Sequence, residues 1–93
     1  MQQDILDKIN IDFEKPEEVV KVLLAMESKE QAPISDRIYR GIIFLSEGNM
    51  DKLNHFIELF FQDYRDLLWQ AEYEDPEIQK YNFNKSFRKL GLL

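Results

Sequence analysis

The chain has no cysteine, one histidine, three glycines and three prolines in its 93 residues. Without cysteine there is no disulfide, no thiolate metal ligand and no thiol nucleophile. A single histidine, His55, rules out any multi-histidine site. No apolar run reaches the ~18 residues that a membrane span requires, so no membrane partner is expected. Basic side chains are also scarce: 12 Lys and Arg against 18 Asp and Glu leave a net charge of −6. Such a chain repels a phosphate backbone, and no nucleic-acid partner is expected. Neutral or basic protein partners suit it better. The start, MQQDILDKINID, has no basic cluster ahead of an apolar run, which predicts no signal peptide and a cytoplasmic location.

What is present belongs to a globular chain: 44% hydrophobic and 32% charged residues. The length suits one domain, 1–93, with a single core. Seven Phe, four Tyr and one Trp supply large apolar area for so short a chain, and part of it is expected to face a partner.

The few prolines and glycines mark boundaries. Pro16, followed by Glu17 and Glu18, reads as a helix start, since carboxylates favour the positive end of the helix dipole. Val19, Val20, Leu23 and Met26 continue it at helical spacing to about residue 30. Ser35 is an N-cap for a second helix over 35–47, with Asp36 in its first turn. Ile38, Tyr39, Ile42 and Leu45 share one face, Gly41 permits close packing, and Gly48 closes the helix in a left-handed conformation. Asn49 or Asp51 then caps a third helix at once, so the second and third helices form an antiparallel hairpin. The third helix is expected to run from 50 to 74, where Asp75-Pro76 stops it. As one unbroken rod it is about 36 Å long and spans the domain.

The fold class is therefore all-α: a small bundle of three main helices, with short helical or extended ends. Ile5, Leu6 and Ile9 suggest one or two turns at the N-terminus. In the tail, Phe83, Phe87 and Leu90 fit either a short helix behind Asn84 or an extended strand over the domain.

Projected as one helix, the third segment gathers Phe56, Ile57, Phe60, Tyr64, Leu67 and Ala71 on a single apolar face. Leu59, Trp69 and Tyr73 fall among the polar residues opposite, and large apolar groups there need a cover. The tail, through Phe83 or Phe87, is one cover; a partner molecule is the other. Arg65, Trp69 and Tyr73 follow at i, i+4 steps and can stack along one side of the helix. Trp, Tyr and Arg are also the types most enriched at interface hot spots. A partner-binding surface of Gln62, Arg65, Asp66, Trp69 and Tyr73 is expected.

The charged quartet Asp63-Tyr64-Arg65-Asp66 divides on the same projection. Tyr64 goes to the core, Asp63 to the start of the second helix or to Arg37, and Arg65 and Asp66 to the surface. Asp63 and Asp66 do not make a catalytic carboxylate pair, because no nucleophile or base converges on them. His55 and Glu58 are i, i+3 neighbours able to touch one metal, but two ligands are too few and a solvated helix face explains them. Arg37, Arg40 and Phe44 form a second surface group, read first as ion pairs with nearby acids and second as an anion fork. The basic tail residues Lys85, Arg88 and Lys89 can dock on the acidic body. No catalytic, cofactor or metal site is expected.

The stretch RIYRGIIFLSEGNMDKLNHFIELFFQDYRDLLWQAEYE, Arg37 to Glu74, resembles one found in a group of short uncharacterised bacterial helical proteins. They share an R-I-x-R helix, a G-N-x-x-x-L turn and a D-Y-R-D…A-E-Y helix. The resemblance covers about two fifths of the chain and implies a bacterial, helical protein; it carries no activity or site residues. The function expected is a non-enzymatic protein-interaction or regulatory domain, in one form a homodimer. The alternative is an acidic neutralising protein of the immunity or antitoxin kind, and a small enzyme or metal-binding protein ranks last.

Overall fold

A computed structural model describes residues 1–93. Four helices and a small ribbon follow in order: α1 (Gln3–Asp12), α2 (Pro16–Glu30), α3 (Asp36–Ser46), α4 (Met50–Glu72), β1 (Tyr73–Asp75) and β2 (Ile78–Gln79). The molecule is helical, as expected, with one helix more than the three main ones. The N-terminal turns extend to ten residues, and an antiparallel pairing of β1 with β2 follows α4. The Cα radius of gyration is 12.3 Å.

Local chemistry accounts for the helix ends. Pro16 stands at the start of α2 with Glu17 and Glu18 in the first turn. Ser35 Oγ accepts from the Ile38 amide at 3.3 Å, and Asn49 Oδ1 accepts from the Lys52 amide at 2.9 Å. Between those two caps α3 ends in a left-handed pair, Glu47 (φ 50°) and Gly48 (φ 74°). Gly48 is needed for a second reason. A Cβ there would lie 2.3 Å from the carbonyl oxygen of Asp12, so the α3–α4 turn sits directly on the end of α1.

The third expected helix is not an unbroken rod. Asp63 is extended (φ −160°, ψ 96°), with helix on both sides. Its Oδ1 accepts from the Arg65 amide at 3.0 Å, which is the N-cap bond to the second helical residue. Asp66 then lies in the first turn of the new segment, where a carboxylate is favoured. The quartet is thus an internal helix start. Beyond it, residues 64–72 turn back on α3: a Cβ on Gly41 would meet Cβ of Ala71 at 3.3 Å and Leu68 at 3.9 Å. In a straight hairpin Gly41 would face roughly residue 55 instead. Two expectations fall with the rod. Tyr64 leaves the core, its side chain 53% exposed. Asp63 meets neither the start of α3 nor Arg37.

The core joins every segment: Ile5 and Ile9 of α1, Val19 and Leu23 of α2, Ile42 and Ile43 of α3, Leu53 and Leu67 of α4, and Phe83 and Phe87 of the tail are all fully buried. The tail is neither a helix nor an extended strand. It folds through tight turns, with Asn82, not Asn84, as the local acceptor: its Oδ1 takes the Asn84 amide and its carbonyl takes the Lys85 amide.

Two charges are buried where a surface group was expected. Arg40 is only 2% exposed. Its guanidinium donates to both oxygens of Asp4 at 3.0 Å, to Gln2 Oε1 at 2.7 Å and to the carbonyl of Phe83 at 3.0 Å. Phe44 is half-buried, its ring 5.1 Å from Tyr81 and 5.3 Å from Phe83. Asp4 also accepts from the Phe87 amide at 2.9 Å. Burial pushes the Asp4 carboxyl upward, but the Arg40 hydrogen bonds, the Phe87 amide and the Arg40 charge outweigh it and hold it below its ordinary value. Tyr39 donates to Glu27 at 2.9 Å and ties α3 to α2. At the surface Arg88 reaches Asp7 at 2.6 Å, so of the three basic tail residues Arg88 docks on α1, while Lys85 and Lys89 make no ion pair.

Gly48→Val is expected to cost about 2 kcal/mol or more in urea unfolding, since it adds both positive-φ strain and the Asp12 clash. Asp4→Asn is expected to cost about 3 kcal/mol at neutral pH by leaving Arg40 unpaired. Because the native pKa of Asp4 is depressed, its contribution is complete above the ordinary carboxylate value of 3.8 and is lost as pH falls below it. The gap between wild type and Asp4→Asn should therefore close in acid, as followed by unfolding at a series of pH values.

Candidate functional site

Residues 64–72 return alongside α3 and present a row of side chains that nothing in the chain covers. Tyr64, Arg65 and Trp69 come from that segment, Tyr73 and Pro76 from the ribbon, and Arg37 from the first turn of α3. With Leu68 and Glu72 they line a hollow of about 450 Å³. A second hollow of about 300 Å³ adjoins it, sharing Arg37, Tyr64 and Leu68 and continuing past Phe60 to Pro33 and Ile34. Together they follow the seam between residues 64–76 and the start of α3.

The floor is ionic. Glu72 has a fully buried side chain whose oxygens accept from the Arg37 guanidinium, one of the two contacts being 3.0 Å from Nε. Glu72 Oε2 also takes the Phe83 amide at 2.9 Å, so both carboxylate oxygens are bonded. Hydrogen bonding to Glu72 holds Arg37 even more firmly protonated than usual, against the opposing effect of burial. The walls are aromatic and open: Tyr64, Trp69 and Tyr73 are 53%, 46% and 37% exposed. Arg65 stands at the rim, its side chain 80% exposed and 3.6 Å from Asp63.

Of the five residues expected at a contact surface, the bend brings Arg65, Trp69 and Tyr73 to one hollow. Gln62 and Asp66 stay outside it; Gln62 is exposed on the first segment, and Asp66 accepts from Gln70 at 3.3 Å. The expected stack of Arg65 along Trp69 and Tyr73 is absent. The cation–aromatic contacts are Lys8 over Phe87, Lys29 over Phe61 and Lys80 over Tyr81. Nor does the tail cover the aromatics. Phe83 and Phe87 pack on each other, with Tyr81 and Phe44 beside Phe83, and leave Trp69 and Tyr73 open.

Tyr64, Arg37 and Glu72 belong to the hollow and were not expected there. The signal for Tyr64 was available: Asp63 with Asp66 three residues on is an N-terminal cap pattern in mid-helix. Glu72 had no local signal, because its partners stand 35 and 11 residues away. Elsewhere, His55 and Glu58 are both exposed, and no group of three or more His, Asp or Glu side chains converges. What the hollow offers is contact chemistry: ring faces, phenol and indole donors, and the exposed Arg65 guanidinium at its rim.

As the only tryptophan, Trp69 reports directly on this surface. Its fluorescence should be quenched readily by acrylamide in the native protein. Phe87→Ala should leave emission wavelength and quenching unchanged while lowering stability by about 3 kcal/mol. A blue-shifted, protected tryptophan that Phe87→Ala exposes would place the tail over it.

Comparison of the chain with models of protein families, with curated proteins and with solved structures gives no match.

Proposed function

We propose that the protein is a non-enzymatic interaction domain that binds a protein partner through the aromatic hollow between residues 64–76 and the start of α3. The observation that carries this reading is the cluster of Tyr64, Trp69 and Tyr73, open to solvent around Arg37 and Arg65. Aromatic and arginine side chains give the most binding energy per residue at protein interfaces. Here they stand on a helix and a ribbon rather than on a loop, so little backbone ordering remains to oppose binding.

The contact is one between molecules that are already folded. An 11.2 kDa monomer is expected to expose about 5,700 Å². This chain exposes 5840 Å² and so has buried as much surface as a free-standing domain does. A homodimer through the same face is one form of the reading, each hollow meeting its own image. Bacterial origin and a cytoplasmic setting are part of the proposal; the first draws on the Arg37–Glu74 resemblance, and no helix is long and apolar enough to cross a membrane. The acidic neutralising role draws support from the charge of −6. The hollow itself argues the other way: the charge most exposed at its rim is a cation, Arg65, which suits a carboxylate on the partner better than a basic toxin surface.

Trp69→Ala/Tyr73→Ala should keep the helical spectrum, each truncation costing about 1 kcal/mol at most at these half-exposed positions. It should lose at least tenfold in affinity for proteins that the wild type captures from its host, or in self-association by light scattering. A double variant that is destabilised yet keeps every partner and the same oligomeric state would remove the reading.

A further inference from the structure

The bend in α4 rests on a single residue, and nothing in the sequence forces it. Residues 50–72 contain no glycine and no proline, and Asp63 alone departs from helical geometry. It is held by its own cap to the Arg65 amide and a 3.6 Å contact with the Arg65 side chain, both at the exposed surface. The apolar row Phe60, Tyr64, Leu67, Ala71 has continuous helical spacing and fits a straight helix. Bending takes Tyr64 out of that row and leaves it in solvent.

Beyond the hinge, the chain is anchored almost wholly to residues before it. Glu72 binds Arg37, Ala71 packs on Gly41, the Phe83 carbonyl takes Arg40, the Phe87 amide reaches Asp4, and Arg88 pairs with Asp7. Each of these contacts can re-form unchanged with the same residues of another molecule, which is the condition for domain swapping.

We propose that α4 is a one-residue hinge helix, and that straightening at Asp63 lets two copies exchange residues 64–93. The occupant of each vacated surface is a second copy of this chain, because only that copy carries the matching Asp4, Arg37 and Arg40 with the right spacing. In the exchanged dimer α4 runs unbroken for 23 residues and Tyr64 returns to its apolar row. The aromatic hollow is lined by Arg37 and by residues 64–76, so in the exchanged dimer all of it but Tyr64 re-forms, with Arg37 supplied by the second copy.

Two variants move the hinge in opposite directions. Asp63→Ala removes the cap and favours continuous helix, giving roughly a fivefold to tenfold shift per hinge and about 25- to 100-fold in the dimer dissociation constant. Tyr64→Pro suits the first position of the second segment and the extended Asp63 before it, but disfavours the straight helix by roughly 100-fold per hinge.

The test uses chains bearing Asp7→Cys mixed with chains bearing Arg88→Cys, two surface positions that face each other where the tail meets α1. They are unfolded together, refolded at high concentration and treated with a short bismaleimide. A covalent heterodimer is expected on denaturing gels, increased by Asp63→Ala and abolished by Tyr64→Pro. A dimer through the aromatic hollow alone leaves the two cysteines on different molecules unlinked. Folded chains giving no heterodimer in the otherwise wild-type background, or an equal yield with Tyr64→Pro, would overturn the proposal. Neither result bears on partner binding by Trp69 and Tyr73.

Discussion

Two arginines one turn apart on α3, Arg37 and Arg40, fix where the ends of the chain go. Each pairs with a buried carboxylate, Glu72 and Asp4, and each carboxylate also accepts a tail amide, from Phe83 and Phe87. Neither pair is a strong source of net stability, since desolvation offsets most of the attraction between buried charges. Their effect is directional. A buried amide left without an acceptor is costly, so Phe83 and Phe87 must bring their N–H groups to these carboxylates, and the N-terminus must deliver Asp4 to the buried Arg40. With those demands met, no buried side-chain nitrogen or oxygen lacks a partner.

This arrangement also explains why the aromatic hollow is open. The tail has two large rings available to cover Trp69 and Tyr73, yet both are drawn to the opposite side by the amides next to them. Phe83 and Phe87 are committed to Asp4, Arg40 and Phe44, and the ribbon turns the chain toward that side directly after Glu72. The bend at Asp63 adds the other half by lifting Tyr64 from the core to the same hollow. An exposed aromatic cluster is thus produced by two separate constraints, one ionic and one a helix cap.

Much of the fold is readable from short-range chemistry. Pro16, Ser35, Gly48 and Asn49 stand where they were expected because a cap or a left-handed turn involves only three or four neighbouring residues. Trp69 and Tyr73 were recognisable as out of place on the polar face for a similar reason, since they break the local periodicity, but that the tail leaves them uncovered was not. The features that escaped are those decided at a distance. Arg40 reads as a surface residue because Asp4 and the Phe83 carbonyl lie 36 and 43 residues away along the chain. Asp63 escaped for a different reason. Its cap signal competes with an apolar stripe that continues across it, and no proline or glycine marks the break.

The demand of Asp4 and Glu72 for the tail amides is most directly tested by native-state hydrogen exchange at Phe83 and Phe87. If those amides are held as described, both exchange only through global unfolding, with the protection of the Leu53 and Leu67 amides in the core. Exchange at the rates of a fraying terminus would contradict the ionic clamp, and with it the reason why Trp69 and Tyr73 stand uncovered.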